Sequence, residues 1–246
     1  MMRKALWIGL AAVLVLAGAL DAAGQKELKV LKFALSGNPD TLDPHKTAGT
    51  LTFQTLKSIY DTLVEPDLQG NLVPALAESW NISADSLTWT FTLRKEVTFH
   101  NGNKLTSADV KATLERLMNK ATASPKASEY TAIKSIETPD DYTVVLQLSA
   151  PAVPLLATLA SGWSAILPKS LIDSGHDFGS RPVGTGPFVF KEWVRDNKIV
   201  LEKNPSYWMK GLPKLDGVEF DIIPERAVQV QGLVAGPVSY THLTLP

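Results

Sequence analysis

LAESWNISADSLTWTFTLRKEVTFHNGNKLTSADVKATLERLM, residues 76–118, is the stretch whose reading decides the fold. Leu87, Trp89, Phe91, Leu93, Val97 and Phe99 alternate with Thr88, Thr90, Thr92 and Arg94. Period-two alternation rich in threonine and aromatic residues marks a half-buried strand pair. Asn101-Gly102 tolerates positive φ, so the chain can reverse there. Thr106 followed three residues later by Asp109 fits a capping box, with Asp a shorter partner than the usual Glu or Gln. Val110, Leu114, Leu117 and Met118 then share one helical face. The stretch predicts strand, tight turn and capped helix.

Working outward, residues 27–35 read as a strand buried at its centre, broken by Ser36-Gly37-Asn38-Pro39-Asp40. Residues 51–63 place Leu51, Thr55, Ile59 and Leu63 at helical spacing and predict a helix packed on a core. Residues 121–128, small and polar with a proline, read as a loop. Residues 133–138 and 142–148 predict a hairpin turning at Pro139-Asp140-Asp141, with Tyr142, Val144, Leu146 and Leu148 on one face. A short helix started by prolines follows over residues 151–159. A second hairpin, 188–195 and 198–203, turns at Asp196-Asn197; a strand over 218–223 and a helix over 226–234 come next.

Composition bounds the function. At 246 residues the chain can make one large domain or two small ones. It has no cysteine, which excludes disulfides, thiol catalysis and cysteine-ligated metal. A net charge of −1 gives no basic surplus for a phosphate backbone, so no nucleic-acid partner is expected. Arg3 and Lys4, an apolar run over residues 5–20 and the small residues Ala17-Gly18-Ala19 predict a cleaved signal peptide over 1–23, hence a periplasmic protein. The apolar run is shorter than the ~20 residues that span a bilayer.

Enzyme readings find little support. His45, His100, His176 and His242 are scattered and never at ligand spacing on one helix, so no metal site is expected. No Gly-x-Ser-x-Gly elbow occurs. Gly184-x-Gly186 runs into Pro187, which forbids the helix start of a dinucleotide fold. No phosphate-binding loop ending in Gly-Lys-Ser/Thr appears. No cofactor is expected, and the protein is read as not an enzyme.

The opening stretch resembles the signature segment of the bacterial extracellular solute-binding proteins of the oligopeptide, dipeptide and nickel class, which serve ATP-driven importers. The matching residues are Leu76, Ala77, Ser79, Trp80, Thr90, Phe91, Leu93, Arg94, Val97, Phe99, His100, Gly102, Leu105, Thr106, Asp109 and Val110. Ser86 and Glu96 stand where glycine is usual, and Asn101 where Asp is usual. Glu96 thus puts a Cβ where glycine is favoured. Leu42-Asp43-Pro44 and the block Gly184-Thr185-Gly186-Pro187-Phe188, Asn204-Pro205, Tyr207-Trp208 and Leu215-Asp216-Gly217 resemble the same family. Residues 239–246 do not, and are read as a non-family tail.

The resemblance implies an α/β fold of the large periplasmic binding-protein type. Family members are much longer, so the chain is expected to be a first lobe truncated before most of the second. Residues 27–61 and 171–235 would form a discontinuous sheet subdomain, with residues 62–170 inserted as a smaller α+β part. Trp80, Trp89, Trp193 and Trp208 lie in scaffold motifs and are expected buried. His45 and His100 are expected to make structural hydrogen bonds.

The function implied is capture of a di- or oligopeptide for the permease of an ATP-binding cassette transporter, by a monomer. Nickel, haem or an opine-like ligand on the same scaffold is the alternative. A secreted hydrolase with its active site elsewhere, or a surface protein acting by interaction alone, are alternatives of another class. The loop Lys46-Thr47-Ala48-Gly49-Thr50 matches the place where peptide-binding relatives contact ligand backbone, so Ala48, Gly49 and Thr50 are implied site residues. An ordinary loop entering a helix is the competing reading. Tyr130 and Trp163 match cleft-lining aromatics, with core packing the rival role for Tyr130.

Overall fold

The structure, a computed structural model, describes residues 28–241. The expected signal peptide and residues 242–246 of the expected tail lie outside the described residues. Strand β1 (Val30–Leu35) begins the fold. It buries Ala34 and Leu35 at its end, not its centre. Leu35 joins a core with Leu42, Leu56, Ile59 and Phe220, whereas Leu31 and Phe33 only pack partly against that core.

Helix α1 (Thr50–Leu56) is shorter than the periodicity of residues 51–63 predicts. Beyond Leu56 the main chain is claimed from outside. The carbonyls of Ser58 and Ile59 accept the N–H groups of Phe188 and Gly186, each at 3.0 Å, and that of Asp61 accepts Ile166 N–H at 3.1 Å. Further on, Thr62 O accepts Leu76 N–H at 3.1 Å, and Leu63 O accepts Ala77 N–H at 2.9 Å. A buried carbonyl must be bonded somewhere, and here the long-range partners win over the next helical turn.

Strands β2 (Val64–Pro66) and β3 (Leu72–Pro74) pair antiparallel as a small ribbon. Strand β4 (Ala77–Ile82) pairs with β5 (Thr88–Leu93), whose Trp89, Phe91 and Leu93 are buried in strict alternation. The predicted strand over 87–99 therefore stops at Leu93. Arg94 N–H goes to Leu76 O at 3.0 Å, and its Nε–H to Ala75 O at 2.7 Å. Val97 and Phe99 stay buried on a loop carrying one bridge, Thr98 to Lys104. Gly102 takes φ +84° at the predicted turn. Of the two glycine-like positions, Ser86 adopts positive φ (+59°) and Glu96 does not.

Helix α2 (Ser107–Met118) starts at the predicted capping box. Asp109 accepts Thr106 N–H at 2.8 Å. Its other oxygen accepts Lys169 N–H at 2.8 Å, so one carboxylate ties two elements. The helix buries Val110, Leu114 and Leu117. Strands β6 (Ile133–Asp140) and β7 (Thr143–Leu148) form the first predicted hairpin with a tighter turn. Pro139 fits within β6 because β6 is an edge strand, where a missing N–H need not cost a ladder bond. These strands form a four-stranded sheet ordered β4-β5-β7-β6. Phe91, Leu114, Leu117, Val144 and Leu146 share its core. Each such side chain, fully buried, stabilises by about 1.5–3 kcal/mol.

Helices α3 (Leu155–Leu159) and α4 (Lys169–Asp173) lead back to the first sheet. There β8 (Phe188–Val194) and β9 (Lys198–Lys203) make the second hairpin, with Asp196 at φ +58° in its turn. Strand β10 (Gly217–Ile222) runs parallel to β1 and antiparallel to β9. Helix α5 (Arg226–Ala235) follows, and β11 (Tyr240–Thr241) pairs parallel with β1. The order is β11-β1-β10-β9-β8.

Of the four tryptophans expected buried, only Trp89 is. Trp80, Trp193 and Trp208 are half-buried. Arginine covers two of them: Arg195 lies 3.4 Å from the Trp193 ring centre and Arg94 4.9 Å from that of Trp208. A guanidinium stacks on an indole face while staying in touch with water, so full enclosure is unnecessary.

Candidate functional site

The loop of residues 46–50 is held from below by a buried polar anchor. Asp43 caps the 3-10 turn Pro44–Lys46, accepting His45 N–H at 3.0 Å. From α2, Arg116 grips both Asp43 oxygens, at 3.0 and 2.6 Å, and reaches His45 Nδ1 at 2.8 Å. His45 Nε2 lies 3.0 Å from Ala165 O. These partners assign a neutral ring that donates from Nε2 and accepts at Nδ1. Burial, then the Arg116 charge, lowers the His45 pKa to about 4. His100 likewise spans Gly186 O (3.0 Å) and Gly184 N–H (3.3 Å). Both histidines thus make structural hydrogen bonds.

Above the anchor, Asp40 gathers the loop. It accepts Thr47 Oγ1–H at 2.9 Å and also the Thr52 hydroxyl. Partial burial pushes the Asp40 carboxyl up, but the bonds from Thr52 and Thr47 outweigh it and leave it below its ordinary value. Thr47 in turn accepts Gly49 N–H at 3.0 Å. With Thr47 turned inward, Ala48 and Thr50 face solvent and Gly49 is half-buried as the N-cap of α1. Ala48 N–H and C=O have no protein partner among the described residues.

Beside this loop stands an aromatic pair. Phe53 of α1 and Trp163 lie 5.0 Å apart, centre to centre. Lys57 sits 5.1 Å over Phe53, and Lys126 sits 5.1 Å over Trp163. Gly162 makes the pair possible, because a Cβ there would lie 1.9 Å from Phe53 Cε2. A recess opens next to the pair, lined by Leu56, Lys57, Tyr60, Thr62, Glu65 and Gly162 among others. Burial, then the charge of Asp61, raises the Glu65 pKa to about 7, with Lys57 opposing. Asp61 lies behind, accepting from Thr185 (2.8 Å), Trp208 (3.0 Å) and Tyr207 (3.3 Å). Burial raises the Asp61 pKa.

Ala48 and Gly49 thus lead into α1, which begins at Thr50 and whose Phe53 packs on Trp163. Tyr130 is a correction: it does not line a cleft. Its ring is fully enclosed in the core of the four-stranded sheet, and its hydroxyl meets Ser164 Oγ at 2.6 Å. Ser164 follows Trp163, so Tyr130 supports the aromatic wall from underneath. Sequence reasoning missed Phe53, Lys126, Arg116 and Glu65. Phe53 had a signal, being a large aromatic off the Leu51-Thr55-Ile59 stripe. The others had none: Arg116 meets Asp43 and His45 across 73 and 71 residues, Lys126 meets Trp163 of a separate element, and Glu65 shares its recess with Ala160 and Gly162. Among the described residues no three His, Asp or Glu side chains group to hold a metal, and no helix is long and apolar enough to cross a membrane.

Over residues 71–246 the chain matches the profile of the bacterial extracellular solute-binding proteins, family 5. The chain belongs to this family. The family 5 chain is 32% identical to the glutathione-binding protein GsiB of Escherichia coli K12, over 94% of its own length and 46% of that relative. It superposes with TM-score 0.81 on the binding protein AgaA from A. tumefaciens R10, in complex with agropinic acid, at 38% identity, covering 85% of this chain and 43% of that one. It superposes with TM-score 0.76 on DppA of Helicobacter pylori, in complex with the peptide STSA, at 36% identity, covering 85% and 45%. The chain thus spans less than half the length of these relatives. The fold is that of the periplasmic binding proteins, a mixed α/β architecture.

Proposed function

We propose that this family 5 chain supplies one wall of a cleft that captures a peptide or peptide-like solute in the periplasm. The solute is handed to the permease of an ATP-binding cassette importer, and no bond is made or broken. The observation that carries the reading is the exposed, unpartnered main chain of Ala48 beside Gly49, Thr50 and the Phe53–Trp163 pair. An extended peptide can add to such a segment through main-chain hydrogen bonds, and aromatic rings give its side chains a flat wall. The likeness to proteins named for glutathione and crystallised with a tetrapeptide supports the same class of ligand. The likeness to AgaA supports a second reading, an opine. Secretion by the signal peptide and a monomeric state belong to this proposal.

The test is isothermal titration of the full-length product of this gene with glutathione, tetrapeptides, agropinic acid and nickel chelates. Saturable peptide binding is expected, and Ala48→Pro, which removes the N–H and fixes φ, weakens it at least tenfold. Tighter binding of agropinic acid selects the second reading. Turnover of any of these compounds, or peptide affinity indifferent to Ala48→Pro, overturns the first.

A further inference from the structure

The recess beside Gly162 has a chemistry that main-chain capture does not use. We propose that it is a subsite for a cationic group of the solute, an ammonium or a guanidinium, received by the carboxylate of Glu65. This rests on reading that face as the solute wall, and names the side chain it selects.

The buried carboxylates of the molecule are bonded: Asp43 to Arg116, Asp61 to Thr185 and Trp208, Asp109 to Thr106 and Lys169. Glu65, on β2 beside fully buried Val64, lines the recess, and its side chain has no hydrogen bond or ion pair among the described residues. The nearest cation, Lys57, is occupied over the Phe53 ring at the rim. The groups facing Glu65 are otherwise acidic or phenolic. Asp61 raises its pKa, and Glu65 in turn raises that of Tyr207. A half-buried carboxyl beside Asp61, with only Lys57 opposing, holds its proton to about pH 7.

A ligand cation supplies the missing partner. Leu56, Ala160 and Ala165 line the same recess and offer apolar surface to an alkyl stem, as amphipathic side chains require. When the cation enters, the Glu65 carboxyl releases its proton to solvent and the carboxylate keeps the ammonium. Charge balances: a protonated Glu65 takes up one cation and gives out one proton, and an already ionised one is neutralised by the cation. A neutral or acidic side chain of the same size gains no such interaction, so the recess discriminates lysine- or arginine-like solutes from their uncharged isosteres.

The test uses this chain with n-butylammonium chloride as the probe, and n-butanol and sodium butyrate as controls at equal ionic strength. The 13C resonance of the Glu65 carboxyl is followed against pH. Saturating butylammonium is expected to lower its midpoint by at least one pH unit, and the controls to leave it in place. Glu65→Gln, checked for an unchanged melting curve, should lose at least tenfold in butylammonium affinity. Butylammonium binding no tighter than butanol, or equal binding to Glu65→Gln, overturns the subsite. Peptides carrying lysine and norleucine are then compared on the full-length product. Equal affinities overturn the subsite and leave peptide capture standing. Butylammonium bound at Glu65 with no peptide bound at all overturns capture and leaves the subsite standing.

Discussion

Replacing Arg116 by methionine tests the anchor beneath the loop. Methionine keeps an apolar stem against Phe178, over whose ring the guanidinium now sits at 5.4 Å. It removes the three contacts at 2.6–3.0 Å that hold Asp43 and His45. The Asp43 side chain is 4% exposed and that of Arg116 13%, so water cannot replace what is lost. Asp43 would retain its capping bond from His45 N–H alone. Breaking a buried pair in this way costs about 3–5 kcal/mol, because the surviving charge is stranded. At about 2–4 °C per kcal/mol for a chain of this size, the melting temperature should fall by roughly 6–20 °C. Urea unfolding at pH 7, followed by tryptophan fluorescence, measures the loss. The double variant Arg116→Met/Asp43→Asn should lose less than the sum of the singles by about 1–3 kcal/mol, since the stranded charge is gone. A single-variant loss below 1 kcal/mol, or strict additivity, would refute the reasoning.

The pH profile carries two opposed contributions. His45 falls from an ordinary 6.5 to about 4, so the unfolded chain binds the extra proton in that window; the stability is whole above pH 6.5 and is lost as pH falls towards 4. Glu65 rises from 4.5 to about 7, so the folded chain holds the extra proton, and stability drains as pH rises through that window. Glu65→Gln should therefore leave a steeper rise in urea midpoint between pH 4.5 and 6.5, and gain about 1–2 kcal/mol at pH 8 after allowance for its partial exposure; an unchanged profile speaks against the Glu65 environment. Gly162→Ala must swing the Phe53 ring aside, since the new Cβ meets Cε2 at 1.9 Å. Trp163 emission should shift and about 1–2 kcal/mol be lost, whereas an unaltered spectrum would contradict the contact. Gly186→Ala meets only backbone, at 2.5–2.7 Å from Ile59 C, Ile59 O and Tyr60 N. With nothing free to move, about 3 kcal/mol should be lost in urea unfolding, and a loss under 1 kcal/mol would show that the approach is looser than drawn.

Local order in this protein was legible where local chemistry sets it. The alternation through Trp89, Phe91 and Leu93, the Thr106–Asp109 cap and the Asp196-Asn197 turn each follow from neighbours in the chain. Legibility stopped where distant residues decide. The Leu51-Thr55-Ile59-Leu63 stripe continues a helix on paper, but Gly186 and Phe188 take the carbonyls that helix would need. Leu93 ends a strand because Arg94 turns to the carbonyls of Leu76 and Ala75. In the site, exposed Ala48 and Thr50 came from resemblance to known loops. Tyr130 was misplaced because nothing in its sequence neighbourhood announces Ser164 as its partner.

Between Ser58 and Leu63, main-chain carbonyls are handed to three different stretches of chain, 75–77, Ile166 and 186–188. That segment acts as a mortise into which both sheets are jointed. Fresh chain ends cut into the Asp67–Asn71 turn or at Asp196 would leave the joint intact, so permuted or spliced versions of the molecule should tolerate those cuts. A cut between Ser58 and Leu63 would free every board at once, and neither sheet could be cloned away from the other without exposing the sockets left behind.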